Sequence, residues 1–401
     1  MRQRVGEPKA GGWLAGIGGG PLVVAALLLA GGVALHGVAL YSDVAALYAR
    51  DHLAGHPVPY FGYPLEYPVG MGLVIWLLGF VHGARAYFLA TAVLLAVAGA
   101  LTVRLGRAIP GANLWLLALS PALLLYAALN WDMLAILLLV GAFVLLGRGR
   151  DRWGALLLAG AVWTKFFPIV VVPLVVLDRL LRRRWRDALE FTGVFAVASV
   201  AMNAPVALQW TPAGPRPRES WLWFFRFNQQ RPREANLWTL LDPSGLRLTT
   251  AQINTWSAAL LLAGLAVAAA LLIVARRRGA GRDGEALMAA ALVALAWWFF
   301  INKVYSPQYS LWLVVLLALL AAPPLLAAVF AVADLAYFGA ILVAVAERSW
   351  AGWVDAPVLL APTAAREVVI LAIVAWAAWR VVRIPRAREA AARASLVEVR
   401  A

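Results

Sequence analysis

The sequence contains no cysteine. That excludes disulfides, cysteine-ligated metal and a thiol nucleophile. Charge is scarce as well. Asp, Glu, Lys and Arg make up 14% of the 401 residues, where a soluble domain carries about 25%. Hydrophobic residues reach 63%, and the fold class that follows is an all-α polytopic membrane protein. The chain has no glycine-rich strand–turn–helix motif for a nucleotide. It also has no internal repeat, which weighs against a transporter built from two inverted halves. Its four histidines, His36, His52, His56 and His82, are too scattered for a metal site. No metal or other cofactor is expected.

What is present is a series of apolar runs separated by short arginine clusters. The net charge of +15 invites a nucleic-acid reading. The arginines, however, fall between the apolar runs, which is the pattern that orients membrane helices. Spans are expected at 20–40, 84–105, 111–128, 131–147, 153–164, 167–181, 188–207, 253–275, 286–301, 308–322, 325–345 and 367–384. The N-terminus is basic and then apolar, and it reads as a retained first helix rather than a removed signal. Placing it inside gathers Arg2, Arg4, Lys9, Arg104, Arg107, Arg148, Arg150, Arg152, Arg179, Arg182–Arg184, Arg186, Arg276–Arg278, Arg282 and the arginines from Arg380 onward on the cytoplasmic side. The segment 69–82 is too short to cross, because runs of 10–14 residues lie at the interface more often. Pro168 in TKFFP splits 153–181 into two short helices that meet at an outward-facing turn. The whole chain is one integral membrane domain over 1–401. It has a first external loop at 41–83, a long external loop at 208–252 and a cytoplasmic tail at 385–401.

On this threading the polar residues other than arginine reach one face: Asp43, Asp51, Glu66, Asn130, Asp132, Lys165, Asn302 and Lys303. The long loop adds Arg226, Asn228, Arg231 and Arg233. Ionisable groups at such depths are costly and are usually paired or functional. Asp43 is either the cap of a short helix or a general base for an acceptor hydroxyl. Glu66 either pairs with an arginine such as Arg50, or hydrogen-bonds substrate or serves as a second carboxylate. Asp132 either caps the span it opens or makes a structural or substrate contact. Lys165 and Lys303 are either interfacial anchors or cations that hold a phosphate. The aromatic, basic stretch WLWFFRFNQQRPREANLW, with Arg226 and Arg231, suits a headgroup platform or a sugar site.

Taken together, Asp43 after the first span, EYPVG at 66–70, SPALLLYAALNWDMLA at 120–135, TKFFP at 164–168 and NKVYSPQY at 302–309 resemble the actinobacterial branch of glycosyltransferase family 87. That family belongs to the GT-C superfamily of polyprenyl-phosphate-sugar-dependent transferases. The resemblance implies a GT-C fold of about twelve membrane helices with surface helices in the first external loop. It implies a donor such as polyprenyl-phosphate mannose, a cell-envelope lipid or glycan acceptor, and a multi-pass plasma-membrane enzyme working on its extracytoplasmic side. By the same resemblance Asp43 is the base. Glu66, Tyr67, Asp132, Lys165, Arg226, Arg231, Lys303, Tyr305 and Gln308 are candidates for substrate contact. The sequence departs from the family in Val69 after Tyr67-Pro68 and in RPREAN at 231–236. The competing expectation is a transporter or flippase for a lipid-linked solute.

Overall fold

The computed structural model describes residues 19–208, 217–241, 245, 247–279 and 284–384. Arg2, Arg4, Lys9, Arg282 and the tail 385–401 lie outside them, as do parts of the long loop. Seventeen α-helices follow in chain order among these residues. They are α1 (Gly20–Val38), α2 (Asp43–Arg50), α3 (Val69–Gly79), α4 (Ala84–Gly106), α5 (Leu114–Ala118) and α6 (Pro121–Tyr126). Next come α7 (Asp132–Gly147), α8 (Asp151–Thr164), α9 (Val171–Leu181), α10 (Trp185–Ala207), α11 (Pro217–Gln230) and α12 (Leu237–Leu241). The last are α13 (Thr250–Arg277), α14 (Glu285–Ile301), α15 (Tyr309–Leu319), α16 (Pro324–Gly352) and α17 (Leu360–Arg383). Strand pairing among the described residues is limited to two isolated bridges, Pro59 with Tyr63 and Glu234 with Val304.

Six helices are long and apolar enough to cross a bilayer: α1, α4, α10, α13, α16 and α17. The shorter apolar helices α7, α14 and α15 form the centre, and every residue of α15 is buried. An eleven-residue helix rises only about 16 Å, half of a bilayer core. It is joined to α14 by the irregular stretch 302–308, where Lys303, Val304, Tyr305 and Gln308 are buried. The fold is therefore an all-α polytopic membrane protein.

Two proline breaks shape the site. TKFFP divides its segment as the sequence suggests. Helix α8 stops at Thr164, Lys165 is extended (φ −148°, ψ 122°), and a short 3-10 turn at Phe167–Val170 leads into α9. The span expected at 111–128 is also broken, into α5 and α6. Ser120 caps α6 by accepting from the Ala122 N–H at 3.2 Å. Pro121 has no N–H and keeps Ser120 out of the helical region.

In the first loop, α3 lies against the last turn of α8. A Cβ at Gly70 would stand 2.7 Å from the Trp163 carbonyl oxygen. That gap cannot be relieved by turning a side chain. Gly70→Ala is therefore expected to cost about 1–3 kcal/mol, read as a lower thermal midpoint of the purified protein in detergent.

Several of the arginines expected on the cytoplasmic side are paired. Arg179 is buried and pairs with Asp151 at 2.6 Å and Asp178 at 2.7 Å. Arg184 reaches Asp151 at 3.1 Å, and Arg276 reaches Asp178 at 2.6 Å. These pairs lock the ends of α8, α9 and α13 together. Arg148, Arg150 and Arg152 remain exposed. This cluster lies at the opposite end of α8 from Lys165, a helix length of about 21 Å away.

Candidate active site

The chain leaving α1 is pinned before it reaches Asp43. The two ring nitrogens of His36 lie 2.7 Å from the Tyr41 carbonyl and 2.8 Å from the Leu125 carbonyl. Ser42 then caps α2 by accepting from the Val44 N–H, and its hydroxyl donates to the Ala128 carbonyl at 2.8 Å. The Asp43 N–H donates to the Leu129 carbonyl at 2.9 Å. Asp43 is thus the first residue of α2 and not its cap. It is fixed against the turn between α6 and α7, which carries Asn130.

The Asp43 carboxylate is held on both oxygens. Tyr41 donates its hydroxyl to Oδ1 at 2.9 Å, and Asn130 donates Nδ2–H to Oδ2 at 2.7 Å. Burial, with Asp43 beside it, pushes the Tyr41 hydroxyl pKa up, so Tyr41 stays a donor. The Asn130 amide has one possible orientation. Its Oδ1 accepts from the Lys165 ammonium at 3.1 Å and from the Trp131 N–H at 2.7 Å, and neither partner can accept. Its Nδ2 therefore faces Asp43 and the Tyr67 hydroxyl oxygen, which lies at 2.9 Å.

Behind Asn130, the Lys165 ammonium lies 2.9 Å from Asp132 Oδ2 and 5.1 Å from the centroid of the Tyr67 ring. Trp312 of α15 donates to Asp132 Oδ1 at 2.8 Å. Asp132 is fully buried and makes no cap bond at the start of α7. The capping expectation is therefore corrected: the carboxylate is turned into the core to neutralise Lys165. One network thus runs from α15 through Asp132, Lys165 and Asn130 to Asp43. It joins ALNWD, TKFFP and the residue after the first span.

A second set lies beside it. The Lys303 ammonium donates to the Gln229 carbonyl at 2.8 Å and to Asn254 Oδ1 at 2.7 Å. Arg231 forks onto Glu234 at 2.8 and 2.6 Å. Among the described residues Lys303 has no carboxylate partner. Burial, then the neighbouring Arg231, lower its pKa to about 8. The two sets are linked by ring packing: the Tyr309 ring lies 4.7 Å from that of Phe167, two residues after Lys165, and 5.7 Å from that of Tyr305, two residues after Lys303.

The remaining candidates are placed as follows. Glu66 pairs with Arg50 at 3.1 Å, the first of its expected alternatives. Tyr305 and Gln308 are buried in the stretch that follows Lys303. Arg226 is exposed on α11 and among the described residues takes part in neither set. Sequence reasoning missed Tyr41, Trp312, Asn254 and Arg366 as partners. Arg366 had a signal, a charged Arg-Glu pair flanked by apolar residues. Among the described residues no group of three or more His, Cys, Asp or Glu side chains could hold a metal ion.

An aspartate with two hydrogen-bonded oxygens and free lone pairs is suited to taking a proton from a hydroxyl, and an ammonium with no carboxylate partner among the described residues is suited to meeting an anionic leaving group. No curated protein matches the chain. The pattern of glycosyltransferase family 87 matches residues 65–301. That range contains Glu66, Tyr67, Asp132, Lys165, Arg226 and Arg231, and it leaves Asp43, Lys303, Tyr305 and Gln308 outside. With more than half of its length matched, the chain belongs to glycosyltransferase family 87 and is a membrane glycosyltransferase.

Proposed function

We propose that the enzyme moves mannose from a polyprenyl-phosphate donor to a cell-envelope lipid or glycan acceptor, on the extracytoplasmic side of the plasma membrane. Asp43 is the general base. The acceptor hydroxyl gives its proton to Asp43 and its oxygen bonds to the anomeric carbon. The bond from that carbon to the phosphate oxygen breaks, and the polyprenyl phosphate leaves with its negative charge. A single displacement, with one base and no covalent intermediate, gives inversion at the anomeric carbon; hydrolases, by contrast, use two carboxylates. Asp132 is unsuited to serve as a second one, since it is fully buried against Lys165.

Charge balance decides which cation meets the phosphate. Lys165 is neutralised by Asp132, and Arg231 by Glu234. Lys303 retains a net positive charge, so it carries the phosphate role with Arg231 beside it. Lys165 instead aligns Asn130 and through it Asp43. The observation that carries the proposal is the double clamp of Tyr41 and Asn130 on Asp43. Incubating the purified protein with labelled polyprenyl-phosphate mannose and envelope acceptors tests it. Transfer of label with inversion is expected. Uptake of the lipid across vesicles without transfer would mean a transporter.

The Lys303 assignment sets a pH dependence. The ammonium titrates at about 8, against an ordinary 10.5. For the free enzyme, kcat/KM for the donor should fall as pH rises through about 8. Stability moves in the opposite direction. Between about 8 and 10.5 the unfolded chain holds the extra proton, so this group adds stability as pH rises. A loss of activity with an unchanged or higher thermal midpoint separates the two effects. Lys303→Arg should carry the activity fall beyond the measurable range.

A further inference from the structure

We infer that Arg366 is the positioning residue for the paired loops that present Lys303 and Arg231. The inference deepens the donor-site reading above and rests on it. Arg366 stands on α17 and is fully buried. Its guanidinium carbon lies 3.8 Å from the ring centroids of both Tyr305 and Tyr337, in the corner between two rings set edge-on to each other at 88°. Its Nη2 donates to the Ala235 carbonyl at 2.7 Å and to Glu367 at 2.8 Å. One cation therefore holds the 231–236 loop by a hydrogen bond and the 302–308 stretch by its tyrosine face.

Those two segments are tied to each other directly. The Glu234 N–H donates to the Lys303 carbonyl at 2.8 Å, and the Tyr305 N–H donates to the Glu234 carbonyl at 3.3 Å. The Tyr337 hydroxyl closes the ring by donating to the Tyr305 carbonyl at 3.0 Å. A two-residue bridge alone is too short to be stable, so its register depends on what grips it from behind. A permanently charged guanidinium can contact two rings and still hydrogen-bond at its edge, where a lysine offers only a compact point charge. An arginine buried inside a span is costly and calls for a role, and this grip supplies one.

The test uses the full-length enzyme in nanodiscs with polyprenyl-phosphate mannose. Arg366→Met is paired with Glu367→Gln, so that no uncompensated carboxylate is left buried. Tyr337→Phe is the milder second variant. In both, the donor KM should rise, about tenfold in the double variant, while kcat changes less than twofold. Among the described residues the charged and titratable groups that act on Lys303 are Arg231 and, through it, Glu234; Asn254 and the Gln229 carbonyl are the neutral contacts. If the loops loosen, Lys303 gains water, and the fall of kcat/KM near pH 8 moves upward. A purely structural role would lower the thermal midpoint and leave that pH position unchanged, and this result would overturn the inference. Lys303→Met is run alongside. An unchanged donor KM there overturns the donor-site reading and the inference with it. A raised KM there with normal KM in the Arg366 and Tyr337 variants overturns the inference alone.

Discussion

Asp43→Asn is expected to lower kcat about a thousandfold, within the range for loss of a positioned general base. The change is nearly isosteric. The carbonyl oxygen of the introduced amide can still accept one of the two hydrogen bonds, from Tyr41 or from Asn130, so the α2 start stays in place. Donor KM should be nearly unaffected, because Lys303 and Arg231 are untouched. Asp43→Glu keeps the charge but moves it one methylene toward Asn130, only 2.7 Å away, and should recover little. The measurement is labelled-sugar transfer in a membrane assay at matched expression. Near-normal turnover by the asparagine variant would remove Asp43 from the base role.

Lys165→Met should be the most damaging single change to stability. It leaves the Asp132 carboxylate fully buried with only the Trp312 N–H for company. Removing one partner of a buried ion pair costs about 3–5 kcal/mol, mostly as the penalty on the partner left behind. Adding Asp132→Asn removes that penalty, and the double variant should be clearly more stable than Lys165→Met. Activity should not return with stability, since the Asn130 amide loses the ammonium that fixes its orientation. Thermal midpoints in detergent and transfer rates, measured on both variants, separate the two effects. Equal midpoints would mean that the pair is not coupled.

Much of the helical plan was readable locally. Pro168 and the length of 69–82 announced a broken helix and a non-spanning one, because a missing N–H and a short apolar run act within a few residues. The break at Ser120 was missed although Pro121 carried the same information, since the long apolar run around it masked the signal. The site was half legible. Asp43, Asn130, Asp132 and Lys165 stand out as polar groups at helix ends, but their pairing is a long-range matter. Asp132 finds Lys165 across a helical hairpin and Trp312 180 positions away. No local pattern distinguishes that arrangement from a helix cap. Arg366 escaped for a related reason. The last span was expected to open at 367, which left the arginine outside it, whereas α17 begins at Leu360.

The fixed amide of Asn130 has a consequence for energy supply. An amide between a carboxylate and an ammonium passes no proton, so Asp43 exchanges none with Lys165 or with anything deeper in the protein. On the proposed mechanism the proton that Asp43 takes up leaves by the side on which Tyr41 is 43% exposed. Catalysis in sealed vesicles should therefore run at one rate whether or not a proton gradient or membrane voltage is imposed.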